Sequence, residues 1–170
     1  MAEEEHIEIE QNIDYDPVNA FWLHYSRNTF KKSLAKADIN MSTKAIVQDR
    51  QMKILIVKDR YSQFWDLPGG HIDEEEDPLE ALKREIEEET KLEYPFEPEE
   101  LFTRRMQLGR SMKTVFFYKI VLKEDTPSIQ LSSEHVDYRW VSEGELGQYN
   151  LGAFESVLEG YFNGEISPDT

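Results

Sequence analysis

The chain contains no cysteine, which excludes disulfides, thiolate metal ligands and cysteine nucleophiles together. It has no apolar run of membrane-spanning length; its longest, such as Val115-Phe116-Phe117-Tyr118, are strand-sized. The N-terminus, Met-Ala-Glu-Glu-Glu-His, lacks the basic and apolar regions of a signal peptide. A soluble, cytoplasmic protein with no membrane contact is therefore expected. Cations are scarce as well, 19 Lys and Arg against 35 Asp and Glu, for a net charge of −16. Stable nucleic-acid binding draws its affinity from basic residues on phosphates, and this balance argues against it. A small phosphorylated ligand remains compatible, provided the site supplies its own cations.

What is present is enough for one core: 170 residues, 39% hydrophobic and 12% aromatic. The acids are unevenly placed. Seven lie in residues 1–16 with no Lys or Arg among them, and ten more fall between Asp73 and Glu89. The first group reads as a solvated acidic arm over 1–16. Residues 17–40 read as an N-terminal helical extension, with Val18, Phe21, Trp22 and Tyr25 at roughly helical spacing and Arg27, Lys31, Lys32 and Lys36 as a basic island. This extension either covers an edge of the domain or acts as a lid or homodimer contact.

From Met41 the pattern turns to strands. Lys44–Val47 and Lys53–Val57 read as a hairpin, followed by Phe64–Leu67, a Pro68-Gly69-Gly70 turn and a helix from Pro78 to about Lys91. Further strands are expected near Leu101–Leu108, Lys113–Leu122 and Val136–Val141, the last with Val136, Tyr138 and Trp140 on one face. A closing helix is expected over Gly152–Phe162. The fold class is α+β, with a domain over 41–165 and a tail over 166–170.

Asp77-Pro78-Leu79-Glu80 carries the signals of a helix start. Downstream, Glu85, Glu88 and Glu89 are spaced i, i+3, i+4 and share one stripe beside an apolar stripe of Leu79, Leu82 and Ile86. Three adjacent carboxylates repel one another. Glu80–Arg84 and Glu87–Lys91 are favourable i, i+4 pairs, which would make this an ordinary acidic helix, but Glu85 and Glu89 have no such cation. Clustered carboxylate oxygens are the donor set chosen by hard divalent cations.

Read from Gly70, the sequence GHIDEEEDPLEALKREIEEETKL resembles the Nudix box, with Gly70, Glu76, Arg84, Glu85, Ile86, Glu88, Glu89 and Leu92 in phase. Lys91 stands where the family usually has Gly, a departure that concerns how the helix ends, since a left-handed residue there costs a non-Gly side chain roughly 1 kcal/mol. The preceding Trp65-Asp66-Leu67-Pro68-Gly69-Gly70 is also similar to the family's lead-in. The resemblance implies an α/β/α sandwich around a mixed sheet, with the catalytic helix at about 78–91.

It further implies a Mg²⁺-dependent (or Mn²⁺-dependent) pyrophosphohydrolase that cuts a diphosphate linkage in a nucleoside diphosphate derivative. A nucleoside triphosphate or dinucleoside polyphosphate is favoured as the small-molecule substrate. ADP-ribose or nucleotide-sugar hydrolysis, and a non-catalytic nucleotide-binding regulatory module, are the alternatives. On this basis Glu88 and Glu89 are metal ligands and Glu85 is a ligand or water-positioning base. The Gly69 or Gly70 carbonyl completes the shell, while Glu76 and Arg84 orient the carboxylates. Outside the box, Glu134 is a candidate acid or base, with His135 behind it. Arg60, Phe64, Arg104, Lys113 and Tyr118 are candidates for substrate contacts, with Phe116 as a further base-stacking option.

Overall fold

The computed structural model describes residues 40–92 and 97–166. The expected arm over 1–16 and nearly all of the 17–40 extension lie outside them, as does the tail beyond Ile166. Six strands form one sheet: β1 (Met41–Gln48), β2 (Ile54–Asp59), β3 (Trp65–Asp66), β4 (Glu99–Leu108), β5 (Ser111–Val121) and β6 (His135–Val141). The order is β3-β2-β1-β5-β4, with β6 on the other edge of β2. Helix α1 (Pro78–Thr90) lies on one face, and two short 3₁₀ turns followed by α2 (Glu155–Phe162) lie on the other. The sandwich is α/β/α with a mixed sheet, as the resemblance implied.

The expected hairpin survives only at its base. β1 and β2 pair at Gln48 and Ile54 alone, whereas β1 runs parallel to β5 along its whole length, from Met41 against Thr114 to Gln48 against Val121. β1 is thus central and buried on both faces. Ala45 and Val47 join Phe116, Tyr118 and Ile120 beneath α1, while Ile46 joins Val115 and Phe117 beneath α2. Burial alternates because successive side chains leave a strand on opposite sides. In β6, Tyr138 and Trp140 pack against the α1-side core as the alternation predicts. Val136 does not, and is half exposed at the strand's start.

Helix α1 begins and ends as its sequence dictates. The Asp77 side chain accepts from the Leu79 and Glu80 backbone N–H groups at 2.9 Å each, and Glu80 returns a bond to the Asp77 N–H at 3.0 Å. Ala81, Leu82 and Ile86 bury the apolar stripe. At the far end Lys91 adopts φ 53°, ψ 26°, the left-handed conformation a glycine would take without strain. Replacing Lys91 with Gly should therefore raise stability by up to about 1 kcal/mol, read as an increase in the urea midpoint. An unchanged or lower midpoint would show that Lys91 carries no such strain.

Candidate active site

The segment Asp66–His71 forms a wall between helix α1 and a cavity on the opposite side. Backbone bonds fasten it to β1: Ala45 N–H donates to Pro68 O and Thr43 N–H to Gly70 O, both at 2.9 Å. Gly69 has φ +126°, and a β-carbon there would lie 2.2 Å from Thr43 O. A β-carbon on Gly70 would meet the Glu85 carboxylate at 2.5–2.8 Å. The two glycines are thus demanded by close approach to β1 on one side and to α1 on the other.

The three carboxylates of the stripe have different surroundings. Glu89 is buried, 6% exposed, and one of its oxygens accepts from the Gly69 N–H at 2.8 Å. Burial pushes its carboxyl up to about 8, against the smaller opposing pull of Lys44 and the Gly69 N–H. Glu85 is also raised, again chiefly by burial, although the Arg84 guanidinium donates to it at 2.8 Å. Glu88 is mostly exposed and lies 3.6 Å from Arg84.

Arg84 reaches across to the loop before the helix. It makes a two-point contact with Glu76, with Nε and Nη2 each 2.9 Å from a carboxylate oxygen, and Nη2 also donates to His71 O at 3.0 Å. These contacts hold the arginine strongly protonated, the Glu76 bonds first among the causes. Arg84 thereby ties the loop after the glycines to the acidic stripe. Substituting Arg84 with Lys, which cannot reproduce the fork, should lower kcat about 10- to 100-fold while the melting temperature shifts by only a few degrees.

Glu85 and Glu89 are two carboxylates whose charged forms burial penalises, and Glu88 beside them is exposed enough to swing. All are hard oxygen donors, so the set fits a divalent cation. Among the described residues no three Asp, Glu or His side chains are already gathered tightly enough to enclose one. The Gly69 and Gly70 carbonyls, one of which the resemblance puts in the shell, each accept one bond from β1, from Lys44 Nζ at 2.7 Å and Thr43 N–H at 2.9 Å, which leaves each a second lone pair.

Of the two adjacent candidates at the start of β6, His135, the first residue of the strand, faces the stripe. Its Nε2 is 3.7 Å from a Glu89 oxygen, and burial lowers its pKa, which disfavours the charged form. Glu134 is exposed, and its carbonyl accepts from Arg60 N–H. Arg60 also donates to Ser133 O, fastening this loop instead of reaching the cavity.

The cavity, about 560 Å³, is lined by Phe64 and Lys113 among the expected substrate residues, together with Lys44, Asp66, Leu151 and Phe154. Tyr118 and Phe116 are placed elsewhere, in the core beneath α1. Arg104 is exposed over the Phe102 ring at 5.1 Å and does not line the cavity. Lys44 was not anticipated. Its ammonium, on a side chain only 8% exposed, donates to Asp66, Leu67 O and Gly69 O at 2.9, 3.0 and 2.7 Å. The signal available was a lysine leading an apolar run in a strand buried on both faces.

A helix of oriented carboxylates, a glycine wall and a cavity behind it define a Nudix-type site, and the NUDIX domain family profile matches residues 39–158. The chain belongs to that family. It is 35% identical over 96 residues to the bis(5′-nucleosyl)-tetraphosphatase (asymmetrical) of Rattus norvegicus, covering 55% of this chain and 64% of the rat protein. The chain thus spans less than two thirds of that relative. A MutT protein from Methanosarcina mazei matches with TM-score 0.60 and 27% identity, over 75% of this chain and 95% of the other. A C. elegans Ap4A hydrolase shares the fold at TM-score 0.64 and 20% identity, over 74% and 96%.

Proposed function

We propose that the chain is a Mg²⁺-dependent pyrophosphohydrolase that cuts a diphosphate linkage in a nucleoside triphosphate or dinucleoside polyphosphate. The observation that carries this is the shared wall. Glu85 and Glu89 abut Gly70 and Gly69 on one side, and the cavity opens against the same segment on the other. A diphosphate lying across Gly70 would bring its bridging linkage to the carboxylates while its nucleoside enters the cavity.

Glu85, Glu88 and Glu89 would hold the cation, which supplies neutralisation of phosphate charge and activation of water. Arg84 holds Glu85 in place and keeps Glu76 beside it. Glu85, raised by burial above the ordinary carboxylate range, is a candidate to accept a proton from water. The names of the rat and nematode relatives favour the dinucleoside polyphosphate end of this range. The acidic balance of the chain suits a small ligand neutralised by its own cation.

The test is a panel of nucleoside triphosphates, diadenosine tetraphosphate, ADP-ribose and UDP-glucose, each with Mg²⁺ and with chelator. Chelator-sensitive turnover confined to the first two is expected. Nucleotide binding without turnover of any of them, in Mg²⁺ or Mn²⁺, would identify a sensing module instead.

A further inference from the structure

Strand β4 ends the sheet: among the described strands it pairs with β5 alone. Such an edge offers a row of backbone N–H and C=O groups to a further strand. It is also basic. Between Phe102 and Val115 the β4–β5 hairpin carries Arg104, Arg105, Arg110 and Lys113 and no acid, in a chain of net charge −16. The three arginines are exposed and Lys113 is half-buried. Arg50, Arg84 and Arg139 each hold a carboxylate. Among the described residues none of the four hairpin cations does so.

A second copy is a poor partner for this edge, because it presents the same arginines and pairing would set like charges opposite one another. The complementary charge lies in residues 1–16, with seven acids and no Lys or Arg. Their sequence also has the period of a strand. Ile7, Ile9, Ile13 and Tyr15 fall at odd positions, and Glu8, Glu10, Asp14 and Asp16 at even ones. β4 alternates in a matching way: Phe102, Met106 and Leu108 join the core beneath α2, and Arg105 leaves the strand on the opposite side. The reach is sufficient. The Asn40 carbonyl accepts from Thr114 N–H at 3.0 Å, and Thr114 is the β5 partner of Arg105. Asn40 thus lies about 10 Å from the β4 edge, two strand spacings. Residues 17–39, even as a helix, would span about 35 Å, comparable to the length of β4.

We propose that the β4 edge is a docking site for an acidic strand, and that its occupant is residues 7–16 of this chain. Paired along β4, the segment sets its isoleucines and Tyr15 beside Phe102 and Leu108, and its acids on the side of Arg105. Backbone bonds to the edge supply affinity, and the side-chain alternation supplies register. Opposite charges across the pair add to this and, being exposed, are weakened by salt. Because the segment is tethered to the sheet, its effective concentration at the edge is high and modest contacts suffice.

The chain has no cysteine, so Gln11→Cys gives the full chain a single site for a nitroxide spin label. In the amide NMR spectrum, the signals of Thr103, Arg104, Arg105, Met106 and Gln107 are expected to lose intensity relative to the reduced label. Those of β6, beyond β2, should keep theirs. No loss at β4, or equal loss at β4 and β6, would overturn the proposal. So would equal loss in a mixture of spin-labelled chains with isotope-labelled chains that lack the nitroxide, which would give the edge to another copy. Arg104→Glu combined with Arg105→Glu should restore the β4 signals. Glu8→Lys combined with Glu10→Lys should do the same without altering any strand, so the test does not depend on the folding of the edge variant. Signals still lost in the Glu8 and Glu10 variant would refute the charge pairing.

Discussion

Glu89→Gln is expected to lower kcat/KM on the preferred nucleotide by on the order of 10²–10³-fold, the scale for losing one preorganised charge at a reacting phosphate. The amide keeps an oxygen for the Gly69 N–H, so the wall remains anchored and the loss reports charge rather than collapse. The same variant has a signature in stability. In the folded, metal-free protein Glu89 has a pKa of about 8, above the ordinary 4.5, because burial disfavours its anion. A carboxyl raised on folding favours the folded state most below 4.5, and that contribution is lost as the pH rises through about 8.

Without metal the melting temperature should therefore fall between pH 5 and 8, and Glu89→Gln should flatten this dependence. Added Mg²⁺ should raise the melting temperature of the parent at pH 8 more than that of the variant, since a cation supplies the charge that burial withholds. A variant with parental kcat/KM, or a Mg²⁺ shift as large as the parent's, would remove Glu89 from the ligand set.

Lys44→Met should destabilise the fold by about 1–3 kcal/mol, the usual cost of leaving buried acceptors without their donor, because Asp66 itself is partly exposed. Methionine matches the stem but leaves Asp66, Leu67 O and Gly69 O without their donor. A fall of up to roughly 10 °C in melting temperature follows for a domain of this size. Lys44→Arg should recover only part of it, because a planar fork cannot address three partners arranged around a single point. Loss of the Lys44 charge also removes one of the influences that lower Glu89, so the stability profile should shift to higher pH. A Lys44→Met protein that melts with the parent would mean that the wall is held by its backbone bonds alone.

Helix α1 was legible in the sequence because its determinants are local. Asp77, Pro78 and Glu80 set its start, the apolar stripe sets its buried face, and Lys91 adopts the left-handed turn expected of the residue in that place. The Arg84–Glu76 contact joins residues only eight positions apart. The rest depended on distant pairing. A hairpin reading of β1 and β2 uses only neighbours in sequence, and periodicity cannot reveal that β1 finds its main partner in β5. That pairing carries Lys44 inside and places Tyr118 in the core, so both assignments hinged on the same unseen contact. Glu134 stands ahead of His135 only through the resemblance, which places an additional acid or base at this point of the chain. Which of the two adjacent residues points inward is decided by the turn before β6, where His135 N–H bonds to Ser132 O.

The parallel ladder between β1 and β5 joins segments about seventy positions apart in the chain. Closing so large a loop costs entropy before any pairing repays it, which places the fold among the slower ones. The segment bearing Gly69 and Gly70 leans on β1 through Thr43, Lys44 and Ala45. During synthesis, β1 must wait for β5 to leave the ribosome, and a nascent chain that already contains every residue of the acidic stripe still has no central ladder to support the glycine wall. Catalytic competence should accordingly appear in one late step, together with the docking of β5.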